Sequence, residues 1–189
     1  MTTPATRTRR LTQRSAYASP WPLRVRLALA LWQAAWLLLA RWTPKPAYPW
    51  RVLLLRLFGA RVQGHPFVAA SARIKMPWNL SLADRACIGP ECELYNLAPV
   101  RLGARCTLAQ QTYLCAGTHD FADPNLPLVV APITIGADAF LGARAFVLPG
   151  VRIGDGAVVG ACSVVTRDLP PRMMCAGNPC RPLRPRPTS

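Results

Sequence analysis

Aliphatic residues recur at every sixth position at Ile135, Leu141, Val147, Ile153, Val159 and Val165. Neither a helix of period 3.6 nor a strand of period 2 produces this rhythm. Gly136, Gly142, Gly154 and Gly160 each follow one of these positions. A small or β-branched residue stands four places on at Ala139, Ala145, Val151, Ala157 and Ser163. Such a repeat marks a parallel β-helix, in which three short strands make one coil and each coil buries its aliphatic row against the next.

The same spacing continues upstream in shorter runs. Val62, Val68 and Ile74 share one phase; Leu82, Ile88 and Leu94 lie two residues late; Leu102, Leu108 and Leu114 lie two residues later again. Each run supplies the three rows of one coil, and each displacement reads as a small bulge at a coil corner. Leu114 to Ile135 spans 21 residues, which reads as one coil plus three extra residues. This stretch holds Asp120, Asp123, Pro124, Asn125, Pro127 and Pro132, so a loop over 119–134 is expected to leave the coil at His119.

The chain divides accordingly. Residues 1–20 are basic, polar and proline-containing and are expected to be a disordered tail. Residues 21–61 form a helical region, in which Leu27 to Ala40 is apolar except for Gln33, with Trp32, Trp36 and Trp42 along it and Arg24, Arg26 and Arg41 at its ends. It falls short of the roughly 20 apolar residues that cross a bilayer. A helix lying in the membrane interface is the first reading, a helix docked on the solenoid the second, and a span the last. Pro44, Pro46 and Pro49 end it, and Trp50 to Phe58 reads as a second helix closed by Gly59. The β-helix then occupies 62–170, and 171–189 is a C-terminal tail.

Charge sharpens the N-terminal reading. The net charge is +15, and residues 1–61 carry eleven basic residues and no acidic one. An anionic partner follows, with a membrane surface favoured over nucleic acid because no recognition motif accompanies the basic stretch. Seven cysteines, an odd number with no C-x-x-C pair, argue against a disulfide framework and fit a reducing, cytoplasmic setting, peripheral at the inner membrane face. No signal peptide is read at the N-terminus.

Only two histidines exist, His65 and His119. That is too few for the three-histidine zinc site of the β-helical carbonic anhydrases, and no metal is expected. His65, between Gly64 and Pro66, reads as an exposed turn residue. His119 stands beside Asp120 at the mouth of the one long insertion.

Gly117-Thr118-His119-Asp120, Ala131-Pro132-Ile133, the run from Ile135-Gly136 to Leu169-Pro170 and Ala176-Gly177-Asn178-Pro179 together resemble the hexapeptide-repeat acetyltransferases of the maltose, galactoside and nodulation-factor type. Pro77-Trp78-Asn79-Leu80, Leu94-Tyr95-Asn96-Leu97 and Tyr113-Leu114-Cys115 look like the colanic acid biosynthesis branch. The resemblance covers residues 50–185. It implies an all-β, left-handed parallel β-helix, a homotrimer with active sites between subunits, and acetyl-CoA as donor to a sugar or lipid-linked saccharide.

An alcohol is barely ionised at neutral pH, so acetyl transfer to a sugar hydroxyl needs its proton removed as the oxygen attacks. An imidazole, with a reference pKa of about 6.5, suits that task. His119 is therefore the candidate general base, acting by direct attack without an acyl-enzyme. Tyr95, Asn96, Asp120 and Phe140 are candidate acceptor contacts, each with an equally good structural reading as a corner, turn or interface residue. The resemblance implies that Ala143, Ala161, Thr166 and Arg167 line the donor groove and that Arg181 and Arg184 approach its phosphates. Ala143 stands where some relatives have serine, so only its backbone N–H can polarise the thioester oxygen. Acyl transfer to an amine and a non-catalytic trimeric scaffold are the competing readings.

Overall fold

In a computed structural model, which describes residues 8–11 and 19–187, the six-residue rows become three flat parallel sheets wound into a left-handed β-helix. The first face holds Arg61–Val62, Leu80–Leu82, Val100–Leu102, Ile133–Ile135 and Arg152–Ile153. The second holds Phe67–Val68, Cys87–Ile88, Thr107–Leu108, Phe140–Leu141, Val158–Val159 and Met173–Gly177. The third holds Arg73–Ile74, Glu93–Tyr95, Tyr113–Cys115, Phe146–Val147 and Val164–Val165.

Each run read from the sequence is one turn around these faces, and the rows stack in register. Leu82 pairs with Leu102, Ile88 with Leu108 and Leu94 with Leu114. These side chains are buried, as are the small residues Ala86, Cys92, Cys106, Ala139, Ala145 and Ala157 that let the coil turn behind them. The corners cost backbone strain. Arg85, Arg105, Asp138 and Arg172 between the first and second faces, and Glu91, Gln111, Arg144 and Cys162 between the second and third, all have positive φ. Amide-to-carbonyl bonds between successive coils hold them, such as Asp138 N to Ala104 O at 2.8 Å and Cys162 N to Ala143 O at 2.9 Å. Gly142 sits at one of these close approaches, where a Cβ would stand 2.6 Å from Ala161 N.

The corner between the third and first faces takes every insertion. The first two-residue displacement is the 3-10 turn Pro77–Asn79, and the second is the turn at 96–99. The third corrects the spacing argument. Leu102 pairs directly with Ile135 and Leu114 with Val147, so no coil lies hidden between Leu114 and Ile135. The 21-residue interval is a single face-to-face step carrying a 15-residue excursion.

Helix α1 (Leu23–Leu39) and helix α2 (Tyr48–Leu57) close the start of the solenoid. Trp32 and Trp36 are buried against the first coil, and their indole N–H groups donate to Ile74 O at 2.7 Å and Ala72 O at 3.0 Å. In α2, Val52, Leu54 and Leu55 are buried, and Gly59 follows at φ +89°. Arg51 is buried and meets carbonyl and hydroxyl oxygens rather than a carboxylate. Its guanidinium donates to Val68 O, Thr43 Oγ1, Pro44 O and Lys45 O, and burial lowers its pKa. At the other end, Met173–Gly177 folds back on Cys180–Pro185 as an antiparallel hairpin that continues the second face. Within the segment read as a disordered tail, Arg9–Arg10 form a strand and Leu11 is buried; residues 1–7 and 12–18 of that stretch lie outside the described ones. No helix among the described residues is long and apolar enough to cross a membrane.

Candidate active site

The insertion is a small structure of its own. Gly117–His119 pairs antiparallel with Leu128–Val130, and Arg9–Arg10 adds a third strand on the far side. Leu11, Leu128 and Val130 are buried beneath it. Between the two inner strands the chain makes two turns stabilised by aspartates: Asp120 Oδ1 accepts from Ala122 N at 3.1 Å, and Asp123 Oδ1 accepts from Asn125 N at 2.8 Å. Arg10 ties both turns down, pairing with Asp123 and standing 3.5 Å from Asp120 Oδ2. The Asn125 amide first, and Arg10 with it, hold the Asp123 pKa below its ordinary value.

These turns fix the imidazole. Leu126 adopts φ +46°, an uncommon conformation for a branched side chain, and its carbonyl lies 2.6 Å from His119 Nδ1. A carbonyl oxygen only accepts, so Nδ1 carries a proton and, in the tautomer with a single ring proton, Nε2 keeps its lone pair. His119 is exposed.

Other titratable groups nearby are poor bases or nucleophiles. Burial raises the pKa of the Tyr95 phenol, with Cys115 and Glu93 adding to it, so Tyr95 is neutral. The Cys115 thiol is likewise raised by burial and donates to Gly117 O at 3.0 Å. Tyr113 stacks on Phe146 at 4.8 Å, and burial pushes its pKa up to about 12. Among the described residues no group of three His, Cys, Asp or Glu side chains is arranged to hold a metal ion.

The remaining expected site residues fall in separate places. Asn96 is buried and spends both ends of its amide on the first coil: Oδ1 accepts from Met76 N at 2.9 Å and Nδ2 donates to Met76 O at 2.6 Å. It has no edge to offer a sugar, and its geometry is that of a corner brace. Tyr95 lies half-buried on the third face beside Gly117, whose Cβ would stand 3.5 Å from the Tyr95 ring. Phe140 projects from the second face, in register with Thr107 and Val158. Ala143 and Ala161 stack at the corner between the second and third faces. Arg181 and Arg184 lie on the terminal strand of the second face, and Thr166 and Arg167 follow the last strand of the third. The whole width of the third face therefore separates the His119 corner from the Ala143 and Ala161 corner within the chain. Arg10 and Leu126, which build the histidine's setting, had no sequence signal beyond a basic N-terminus and a loop.

Comparison with known proteins agrees with this architecture. Residues 132–167 match the family described as "Hexapeptide repeat of succinyl-transferase". The Escherichia coli (strain K12) protein assigned as a colanic acid biosynthesis acetyltransferase, WcaF, is 41% identical over 160 residues, covering 85% of this chain and 88% of that one. Among solved structures, a hexapeptide-repeat acetyltransferase of Vibrio cholerae complexed with acetyl coenzyme A superposes with TM-score 0.82 at 20% identity, over 93% of this chain and 96% of that one. A galactoside acetyltransferase in complex with coenzyme A gives TM-score 0.77 at 22% identity, over 89% and 85% of the two chains. With its coils, its insertion and this likeness to WcaF, the chain belongs to the hexapeptide-repeat, left-handed β-helix acetyltransferases, in the group related to the colanic acid biosynthesis enzymes.

Proposed function

We propose that this protein transfers an acetyl group from acetyl-CoA to a sugar hydroxyl in exopolysaccharide or cell-surface polysaccharide assembly, with His119 as general base. The observation that carries this reading is the His119 Nδ1 to Leu126 O bond, which leaves Nε2 free to take the hydroxyl proton. The alkoxide-like oxygen attacks the thioester carbonyl directly, the tetrahedral intermediate collapses, and His119 returns the proton to the departing thiolate. The raised Cys115 pKa argues against a cysteine acyl-enzyme at this corner. Acetyl-CoA as donor is supported by relatives solved with acetyl coenzyme A or coenzyme A. The polysaccharide setting is supported by the likeness to WcaF.

The separation of His119 from Ala143 and Ala161 supports a homotrimer. A second copy brings its donor corner, with Ala143 and Ala161 and with Arg181 and Arg184 on the adjoining second face, to the histidine of the first, whose own Thr166 and Arg167 stand on the same third-to-first corner as His119. Asp120 then acts through the loop rather than on substrate, as its bond to Ala122 suggests.

Helix α1 supports work at the cytoplasmic membrane surface. Opposite its buried tryptophans it exposes Leu23, Leu27, Leu31 and Leu38, with Trp42 beyond its end, and Arg24, Arg26 and Arg41 flank that stripe. Acetyl-CoA offered with a panel of free and lipid-linked saccharides tests the function. The expected product gains one acetyl ester, read by mass and by NMR of the acylated carbon; an amide product or no product contradicts it.

A further inference from the structure

A cavity of about 280 Å³ lies between α1 and the third face, against the first two coils. Its walls are unlike a core. Trp36 and Tyr95 supply aromatic surface, and the charged lining is Arg41, Arg73, Lys75 and Glu93. Glu93 pairs with Arg73 at 3.5 Å, which leaves Arg41 and Lys75 without a carboxylate partner among the described residues. A site with three cations and one anion has an excess of positive charge, and aromatic surface beside charged hydrogen-bond donors suits a sugar ring that carries an acid.

The cavity also adjoins the catalytic corner. Tyr95 forms its wall, Tyr95 O accepts from Ala116 N at 3.0 Å, and a Cβ at Gly117 would stand 3.5 Å from the Tyr95 ring. His119 follows two residues later, about 7 Å of extended chain and within the span of a monosaccharide unit or two.

We propose that this cavity is the acceptor subsite and that the acceptor saccharide is anionic, its carboxylate or phosphate held by Arg41 and Lys75 while a hydroxyl reaches His119. The inference rests on the acetyltransferase reading above and adds the chemical class of the acceptor. The ring packs against Tyr95, whose neutral phenol hydrogen-bonds a hydroxyl, and Arg73 stays in its pair with Glu93.

Equilibrium titration of the full-length protein with methyl glucuronoside, glucose 6-phosphate and methyl glucoside tests it, because binding is read independently of acetyl transfer. The expected result is tighter binding of either or both anionic sugars than of the glucoside, weakened about tenfold by Lys75→Met or Arg41→Gln and weakened by added salt. A carboxylate or a phosphate source is identified by which of the two anionic sugars binds better. Equal binding of all three sugars, or unchanged binding of the anionic sugars in both variants, overturns the proposal. Absence of acetyl transfer by the wild-type protein to any saccharide would instead count against the enzymatic reading, so the two fail separately.

Discussion

His119 Nδ1 and the carbonyl oxygen of Leu126 lie 2.6 Å apart, and that one bond decides which nitrogen of the ring is free. The carbonyl points at the imidazole because Leu126 holds φ +46°. Replacing Leu126 with proline fixes φ near −65° and removes the N–H that donates to Asp123 O. Leu126→Pro is expected to lower kcat about 100-fold, while Leu126→Gly, which accepts positive φ, stays much closer to wild type. Steady-state acetyl transfer by the two variants checks this, and equal effects would detach the loop conformation from catalysis.

Arg10 joins the N-terminal strand to both turns of the insertion. Arg10→Ala is expected to lower kcat about twofold to fivefold, as befits exposed ion pairs, without moving KM for acetyl-CoA. The pairing has a definite pH sense. Since the folded Asp123 pKa is depressed, its contribution is present above the unfolded carboxylate pKa and is lost as pH falls through the lower folded value. Loop protection measured by hydrogen exchange is therefore expected to persist at neutral pH and to fall only in acid, below about pH 4.

Asn96 distinguishes a brace from a substrate contact. Its loss strands the Met76 N–H in a buried corner and removes one of the two donors to Met76 O, which keeps only Asn79 N at 3.0 Å. Asn96→Ala is expected to cost about 2–4 kcal/mol, a fall of about 5–15 °C in Tm. A variant of unchanged Tm whose acceptor KM rises would return Asn96 to the substrate.

Much of this fold was legible because a solenoid writes its geometry into spacing. Rows such as Leu82, Ile88 and Leu94 needed only period six to be assigned to one coil, and two-residue slips marked the corner where Pro77–Asn79 and the 96–99 turn stand. The same arithmetic misled at Leu114 to Ile135, because 21 residues fit a coil plus three as well as a step plus an excursion. Only the pairing of Leu102 with Ile135 separates the two. The position of His119 at the insertion survived that error. Arg51 was illegible for another reason: an arginine in a short helix looks solvated, and its burial among carbonyls of Val68, Pro44 and Lys45 depends on a chain reversal that no local pattern records. Arg9–Arg10 is too short a strand to have a period.

The leucine stripe of α1 makes a physical prediction at the membrane. Full-length protein is expected to sediment with phosphatidylglycerol vesicles more than with phosphatidylcholine ones, less so at high salt. Leu27→Glu combined with Leu31→Glu is expected to weaken that binding at least about tenfold, since each leucine loses its apolar burial. Unchanged vesicle binding contradicts the membrane assignment. A shift in oligomeric state on sizing would mean that the stripe contacts a second copy instead.

The most direct test of the central claim is the rate of acetyl transfer by His119→Ala beside the wild-type protein, with the oligomeric state of both measured by sizing. Loss of the base is expected to lower kcat by about 10²–10⁴-fold with the oligomer intact. A variant of the same oligomeric state that transfers acetyl within about threefold of the wild-type rate would contradict His119 as the general base.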